Sequence, residues 1–168
     1  GTNGEAVGSI PTTFEAPQTG PFFKWALVTT MPCVEQLKEA QRAAITSWEQ
    51  LIPKPKILIL ADCIPKELIG RVTLLKMFDK SFDGLPLFSG MMFATLKTAA
   101  VESLAIVGWV NADILLAKNV GSTISAAFHT QKIPWLMLGS RHNIPSEKLY
   151  DQAHPPANLG EFIRSNGD

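Results

Sequence analysis

Apolar residues follow two alternating patterns along the chain. Short continuous apolar runs such as Lys56–Ala61 (KILILA) are typical of strands in a parallel sheet that helices cover on both faces. The segment Val34–Leu51 instead repeats its apolar residues every three or four positions, and Pro53 follows it, so it predicts an amphipathic helix. The same criteria predict further strands at Lys24–Thr29, Leu104–Val110 and Trp135–Gly139, and further helices at Lys66–Phe78, Met91–Glu102 and Val120–Thr130. This alternation predicts an α/β fold with an open, mostly parallel sheet and helices on both faces.

The first 23 residues differ in composition from the rest of the chain. They are rich in Gly, Pro and Thr and show no apolar period, so residues 1–23 are predicted to form a flexible or surface-lying arm. A length of 168 residues fits one domain, and residues 24–168 are therefore assigned to a single α/β domain. Within it, residues 82–90 (FDGLPLFSG) are expected to form a loop or a short extended segment.

Charge and cysteine content narrow the possible functions. The 15 basic and 15 acidic residues cancel, which argues against bulk electrostatic capture of nucleic acid or of an anionic membrane. No apolar run reaches the 18 or more residues that a membrane span requires. Cys33 and Cys63 lack a metal-binding spacing. Two buried or half-buried free thiols are the favoured interpretation, and a disulfide is the alternative.

Polar residues lie at the carboxyl ends of three predicted strands: Thr29 and Thr30 at the first, Asp62 at the second, and Asn111 and Asp113 at the third. In open α/β sheets, ligands bind outside the carboxyl ends of the strands, so these clusters are candidates for one shared site. Each of them alone has an ordinary alternative as a turn or a helix cap. The glycine-rich dinucleotide and phosphate-loop motifs are absent from the sequence.

Six segments occur in an order that resembles the GT-A-type nucleotide-diphospho-sugar transferases. They are ALVTTMP, AQRAAITSWEQL, ILILAD, GLPLFSGMMF, VGWVNADILL and PWLMLGSRHNI. The resemblance covers about Lys24 to Ile144 and implies a Rossmann-like, GT-A-type sheet. In that group the domain continues well beyond the last of these segments, so the chain is expected to be incomplete at its C-terminus. It departs from the group at Ala61-Asp62-Cys63, where Gly-Asp-Asp is usual, and at Gly90, where the group often has an acidic residue.

The resemblance implies a metal-dependent glycosyltransferase, or its donor-binding part, that uses a nucleotide-diphospho-sugar and an unknown acceptor. Asn111-Ala112-Asp113 takes the place of the DXD-type motif, so Asp113 would bind Mn²⁺ or Mg²⁺ on the donor diphosphate. The implied nucleotide-sugar-binding residues are Thr29, Thr30, Pro32, Asp62, Leu85, Pro86, Asn111 and Arg141. No catalytic residue is implied. The alternative is a degenerate GT-A-fold subunit that binds a protein partner in a larger assembly and does not catalyse a reaction.

Overall fold

The computed structural model describes residues 23–76, 87–131 and 136–139. The elements in these ranges are β1 (Trp25–Thr30), α1 (Glu39–Glu49), β2 (Lys56–Leu60), a short 3₁₀ helix (Lys66–Leu68), β3 (Thr73–Leu75), α2 (Phe88–Glu102), β4 (Ile106–Trp109) and α3 (Asn119–Thr130). The four strands form one sheet in the order β3-β2-β1-β4, and all three pairings are parallel. The predicted class, an α/β fold with an open parallel sheet, is therefore confirmed.

The sheet separates two apolar cores because side chains alternate along its central strand β1. Trp25 and Leu27 belong to the larger core, which also contains the buried apolar residues of α1 and Ile124 of α3. Ala26 and Val28 belong to the smaller core, on which α2 packs. Burial on both faces explains why β1 and β2 read as continuous apolar runs. The described part of the chain has no helix that is long and apolar enough to cross a membrane.

The larger core begins before β1. Phe23, the last residue of the predicted arm, is buried in it and stacks on Phe128 of α3, with ring centroids 4.6 Å apart. Residues 1–22 lie outside the described part of the chain. The described core therefore starts one residue before the predicted domain boundary.

Helix α1 is shorter than predicted, since it begins at Glu39 and not at Val34. Lys38, directly before the helix, has an extended backbone (φ −65°, ψ 153°). The residue before it, Leu37, donates its main-chain N–H to Glu67 Oε1 at 3.0 Å and not to a carbonyl of a helical turn. A contact with a residue distant in sequence therefore sets the start of α1.

The predicted helix Lys66–Phe78 is wrong over its described part. Only Lys66–Leu68 is helical, as a 3₁₀ turn, and Gly70 then adopts a left-handed conformation with φ +80°. A residue in that conformation ends the helical run, because its carbonyl and amide no longer point along the helix axis. The chain continues as β3, where Thr73 pairs with Leu58 at the edge of the sheet. Residues 77 and 78 lie outside the described residues.

Two further predictions differ from the structure. Helix α2 begins at Phe88, so it includes the last residues of the segment that was predicted to be a loop. The predicted strand Trp135–Gly139 is wrong where it is described, because residues 136–139 form no strand. Leu136 and Leu138 are each 83% exposed there, so that apolar run is not part of the described sheet.

Candidate functional site

A cleft of about 240 Å³ opens where β1 and β4 end, next to the first turn of α2. Its lining residues come from these three neighbouring elements: Thr29, Thr30, Met91, Trp109, Val110 and Asn111. This is the carboxyl edge of the parallel sheet, where ligands of open α/β folds bind. Three of the residues that the sequence predicted for a site, Thr29, Thr30 and Asn111, thus lie together.

The strand register brings Thr30 and Asn111 together. Val28 pairs with Trp109 in the parallel ladder, and the amide of Val110 donates a hydrogen bond of 3.0 Å to the carbonyl of Val28. This bond extends the pairing past the end of β4 and places Asn111 beside Thr30. The backbones of neighbouring strands lie about 4.8 Å apart, so the two side chains reach the same small cleft.

The two threonines differ in what they offer a ligand. Thr29 is only 1% exposed, and its hydroxyl has one long contact of 3.4 Å with the carbonyl oxygen of Thr30. Thr30 and Asn111 are exposed. Neither of their side chains has a hydrogen-bond partner among the residues that the structure describes. Thr30 and Asn111 are therefore the polar groups of the cleft that are available to a ligand.

Asp113 follows the cleft residue Asn111, in a loop that is bonded to Trp48 and Ser47 of α1. The amide of Ile114 donates to the carbonyl of Asn111 at 3.1 Å, which closes a turn around Ala112 and Asp113. The carbonyl of Ile114 in turn accepts a hydrogen bond of 2.8 Å from the indole of Trp48. Next to it, the amide of Leu116 donates to Ser47 Oγ at 3.1 Å. Asp113 itself is exposed and does not line the cleft.

The remaining predicted site residues are not brought into this cleft, as far as they are described. Pro32 and Asp62 are exposed in the loops after β1 and β2. Asp62 follows a strand that is separated from β4 by β1, so two strand spacings, about 10 Å, separate it from Asn111 along the sheet. Leu85, Pro86 and Arg141 lie outside the described residues.

A disulfide joins the two loops that carry Pro32 and Asp62. Cys33 and Cys63 are bonded, with Cα atoms 5.1 Å apart and a sequence separation of 30. The prediction of two free thiols is therefore wrong. Sequence spacing could not show the pairing, because it depends on β1 and β2 lying side by side with their ends level.

Two aromatic residues at this edge of the sheet were not predicted as site residues: Trp109, which lines the cleft, and Phe88, which contacts Trp109 from outside the lining. Trp109 ends β4 and Phe88 begins α2, and their ring centroids lie 6.5 Å apart with a 45° angle between the planes. Trp109 is 38% exposed and Phe88 is 69% exposed. The position of Trp109 at the end of an apolar run is a usable sequence signal, since it falls where a parallel strand leaves the core. The position of Phe88 next to Trp109 has no such signal, because it depends on the residue at which α2 begins.

A larger depression of about 500 Å³ lies at the opposite, amino edge of the sheet. Lys24, Lys54 and Lys56 line it, but Lys56 is paired with Glu102 at 2.5 Å. The last turn of α2 also ends there, and the negative end of a helix dipole disfavours an anion. We therefore favour the smaller cleft as the functional site, since it lies at the ligand-binding edge and its two exposed polar side chains, those of Thr30 and Asn111, have no partner among the described residues.

The described residues can supply only part of a metal site. Among them, no three His, Cys, Asp or Glu side chains lie close enough to hold a cation. Asp113 is exposed and has no ion-pair partner in the described part of the chain. A single carboxylate is a sufficient protein ligand for Mg²⁺ only when substrate phosphates supply further oxygens. Asp113 thus fits a cation that arrives with a diphosphate, and it does not fit a cation held by protein ligands alone.

The fold and the cleft define a protein class, an α/β protein with a small polar and aromatic cleft at the carboxyl edge of a parallel sheet. Comparison with family models, with curated proteins and with solved structures finds no match to this chain.

Proposed function

We propose that this chain is the donor-binding part of a metal-dependent glycosyltransferase that uses a nucleotide-diphospho-sugar. The observation that carries the proposal is the cleft at the carboxyl edge, where Thr30 and Asn111 lie side by side. Asp113 follows at the next turn. In this arrangement the cleft takes the nucleoside, and the carboxylate of Asp113 lies in the adjoining loop, towards the phosphates.

Two physical features support a diphosphate at this edge. The first turn of α2 borders the cleft through Met91, and the partial positive charge at the amino end of the helix favours an anion just outside the cleft. Asp113 would bind Mn²⁺ or Mg²⁺ together with phosphate oxygens. The cation would neutralise the charge that develops on the nucleoside diphosphate as it leaves. The chain's own contribution is to orient the nucleoside and to hold the carboxylate loop in place.

Isothermal titration calorimetry of nucleoside diphosphates tests the proposal. Wild-type protein should bind at least one of UDP, GDP and ADP more tightly with Mn²⁺ than with a chelator. Asp113→Asn should abolish the metal dependence, because it replaces a charged ligand by a neutral one of the same shape. Glu102→Gln removes one acidic charge at the opposite edge and should retain the metal dependence. Absence of binding heat for all three nucleotides in folded protein would contradict the proposal.

A second candidate is the non-catalytic subunit of an assembly. The outward side of α2 exposes apolar side chains, with Phe93 63% exposed, Leu96 48% and Val101 79%. Exposed apolar residues that lie close together are typical of contact surfaces between proteins. A folded protein that binds no nucleoside diphosphate under any metal condition would favour this candidate over the transferase.

A further inference from the structure

We propose that Trp109 and Phe88 form a stacking subsite for the nucleobase, and that Thr30 and Asn111 bind the edge of that base. The inference rests on the proposed nucleotide-sugar function and deepens it, because it identifies the residues that would hold the base within the cleft. It follows from two exposed rings, Trp109 in the lining of the cleft and Phe88 in contact with it, and from two exposed polar side chains that have no partner among the described residues.

The two rings do not shield each other from water. Their centroid distance of 6.5 Å is near the upper end of the range for aromatic contacts, and their 45° tilt excludes stacking of one ring on the other. Trp109 remains 38% exposed, although it lies at the end of a strand whose other residues are half-buried. A planar base placed against the indole would remove this apolar surface from water. Base–aromatic stacking of this kind is favourable for every nucleobase.

The polar groups beside Trp109 match the edge of a base. The Asn111 side chain carries an amide NH₂ donor and a carbonyl acceptor next to each other, and the Thr30 hydroxyl can donate or accept. Nucleobase edges present donors and acceptors in neighbouring positions, so a carboxamide can pair with them through two hydrogen bonds. Within the described part of the chain, both side chains lack a partner that would compete with the base.

The size of the cleft favours the base over the whole donor. Its volume of about 240 Å³ is below the roughly 300–1,000 Å³ of sites that enclose a drug-sized ligand. A complete nucleotide-diphospho-sugar is larger than such ligands and cannot be enclosed here. One planar fragment fits, while the diphosphate extends out of the cleft towards the loop of Asp113.

The test compares nucleoside diphosphates with inorganic pyrophosphate, which lacks a base, by calorimetry in the presence of Mn²⁺. The variants are Trp109→Ala, Trp109→Phe and Phe88→Ala. Phe93→Ala is the matched control for Phe88→Ala, because Phe93 is a similarly exposed aromatic residue of α2. In the described part of the chain, Phe88 contacts the ring of Trp109 and Phe93 does not. Circular dichroism verifies that each variant is folded.

We expect Trp109→Ala to weaken the best-binding nucleoside diphosphate roughly 5- to 150-fold. Trp109→Phe keeps an aromatic face, so its affinity for the nucleoside diphosphate should fall less. Phe93→Ala should bind the nucleotide as tightly as the wild type does. Pyrophosphate affinity should not change in any variant. If Trp109→Ala does not fold, Trp109→Phe and Phe88→Ala decide, and both must weaken the nucleotide but not pyrophosphate.

The two proposals fail in different ways. Nucleotide binding that is equally tight in Trp109→Ala and Phe93→Ala would overturn the stacking subsite and leave the proposed function intact. Equal losses for the nucleotide and for pyrophosphate would also overturn it, because the effect would then not concern the base. Absence of nucleotide binding in the wild type would refute the proposed function and the subsite together.

Discussion

The indole of Trp48 in α1 donates a hydrogen bond of 2.8 Å to the main-chain carbonyl of Ile114, which lies 66 positions further along the chain. Trp48 is fully buried, so its ring is fixed by the packing of the larger core. Ile114 directly follows Asp113, and its amide closes the turn that carries that carboxylate. The core of the fold thus determines the position of the loop on which the proposed metal ligand lies.

Replacing Trp48 by Phe should loosen that loop. The variant keeps an aromatic ring in the core but leaves the carbonyl of Ile114 without its donor. We expect a loss of about 1–3 kcal/mol in the free energy of unfolding, because a partly buried carbonyl loses its donor and the core loses part of a ring. Hydrogen exchange of the Leu116 amide, which is bonded to Ser47 Oγ in the same loop, should become faster.

Trp25→Phe is the matched control for that experiment. Trp25 is also buried and donates its indole N–H to a main-chain carbonyl, that of Pro53, at 2.9 Å. Loss of the Trp25 bond should lower the free energy of unfolding by a similar amount. The hydrogen-exchange rate of the Leu116 amide, relative to its neighbouring amides, should not change. Equal exchange at Leu116 in the two variants would show that the Trp48 bond does not hold the loop.

The disulfide between Cys33 and Cys63 should stabilise the whole domain. In the chain-entropy account, closing a loop of 30 positions contributes about 3–4 kcal/mol. The double variant Cys33→Ser/Cys63→Ser should therefore unfold at a lower urea concentration than the unreduced wild type. Wild type treated with a dithiol should move to the same midpoint, and the dithiol should not affect the double variant. Identical midpoints with and without the dithiol in wild type would contradict the disulfide.

Gly121 of α3 should not tolerate a side chain. A Cβ at this position would lie 2.4 Å from the carbonyl oxygen of Ile52 and 2.9 Å from its carbonyl carbon, and neither main-chain atom can rotate away. Gly121→Ala should lower the free energy of unfolding by about 3 kcal/mol, at the upper end of overpacking effects. Gly108→Ala is the control, because its Cβ would come closest to the flexible end of Leu27, at 3.1 Å, and would lie an ordinary 3.8 Å from the Ala26 carbonyl oxygen. Equal urea midpoints for the two variants would contradict this account.

The central part of the fold was predictable from sequence because its signal is local. The continuous apolar runs of β1 and β2 reflect burial on both faces, and the structure keeps both strands close to their predicted bounds. The errors occur where distant contacts override local pattern. Leu68, Val72 and Leu75 recur at helical spacing, yet Gly70 turns the chain and Leu75 pairs with Leu60 in the sheet.

The candidate site was predictable to the extent that it follows from parallel topology. Thr30 and Asn111 could be placed together because the carboxyl ends of parallel strands share one edge. The contribution of Met91 and Phe88 could not be predicted, because it depends on the residue at which α2 begins and on how α2 packs. Asp62 was placed in the same site, but the strand order separates it from Asn111 by β1.

Acidification should destabilise the protein through Glu67. A hydrogen bond from Arg42, and then one from the Leu37 amide, hold the pKa of the Glu67 carboxyl below its usual value in the folded protein. At Glu67 the unfolded chain therefore binds a proton more readily than the folded protein does. The stability that the ionised Glu67 contributes is fully present above the ordinary glutamate pKa of about 4.3. It is lost as the pH falls through the lower pKa of Glu67 in the folded protein. Urea unfolding between pH 6 and pH 3 should show a steeper loss of stability in wild type than in Glu67→Gln. Arg42→Gln removes the guanidinium instead, and it should also make stability depend less on pH between pH 6 and pH 3. If both variants lose stability with pH as steeply as the wild type, the Arg42–Glu67 pair is not the cause.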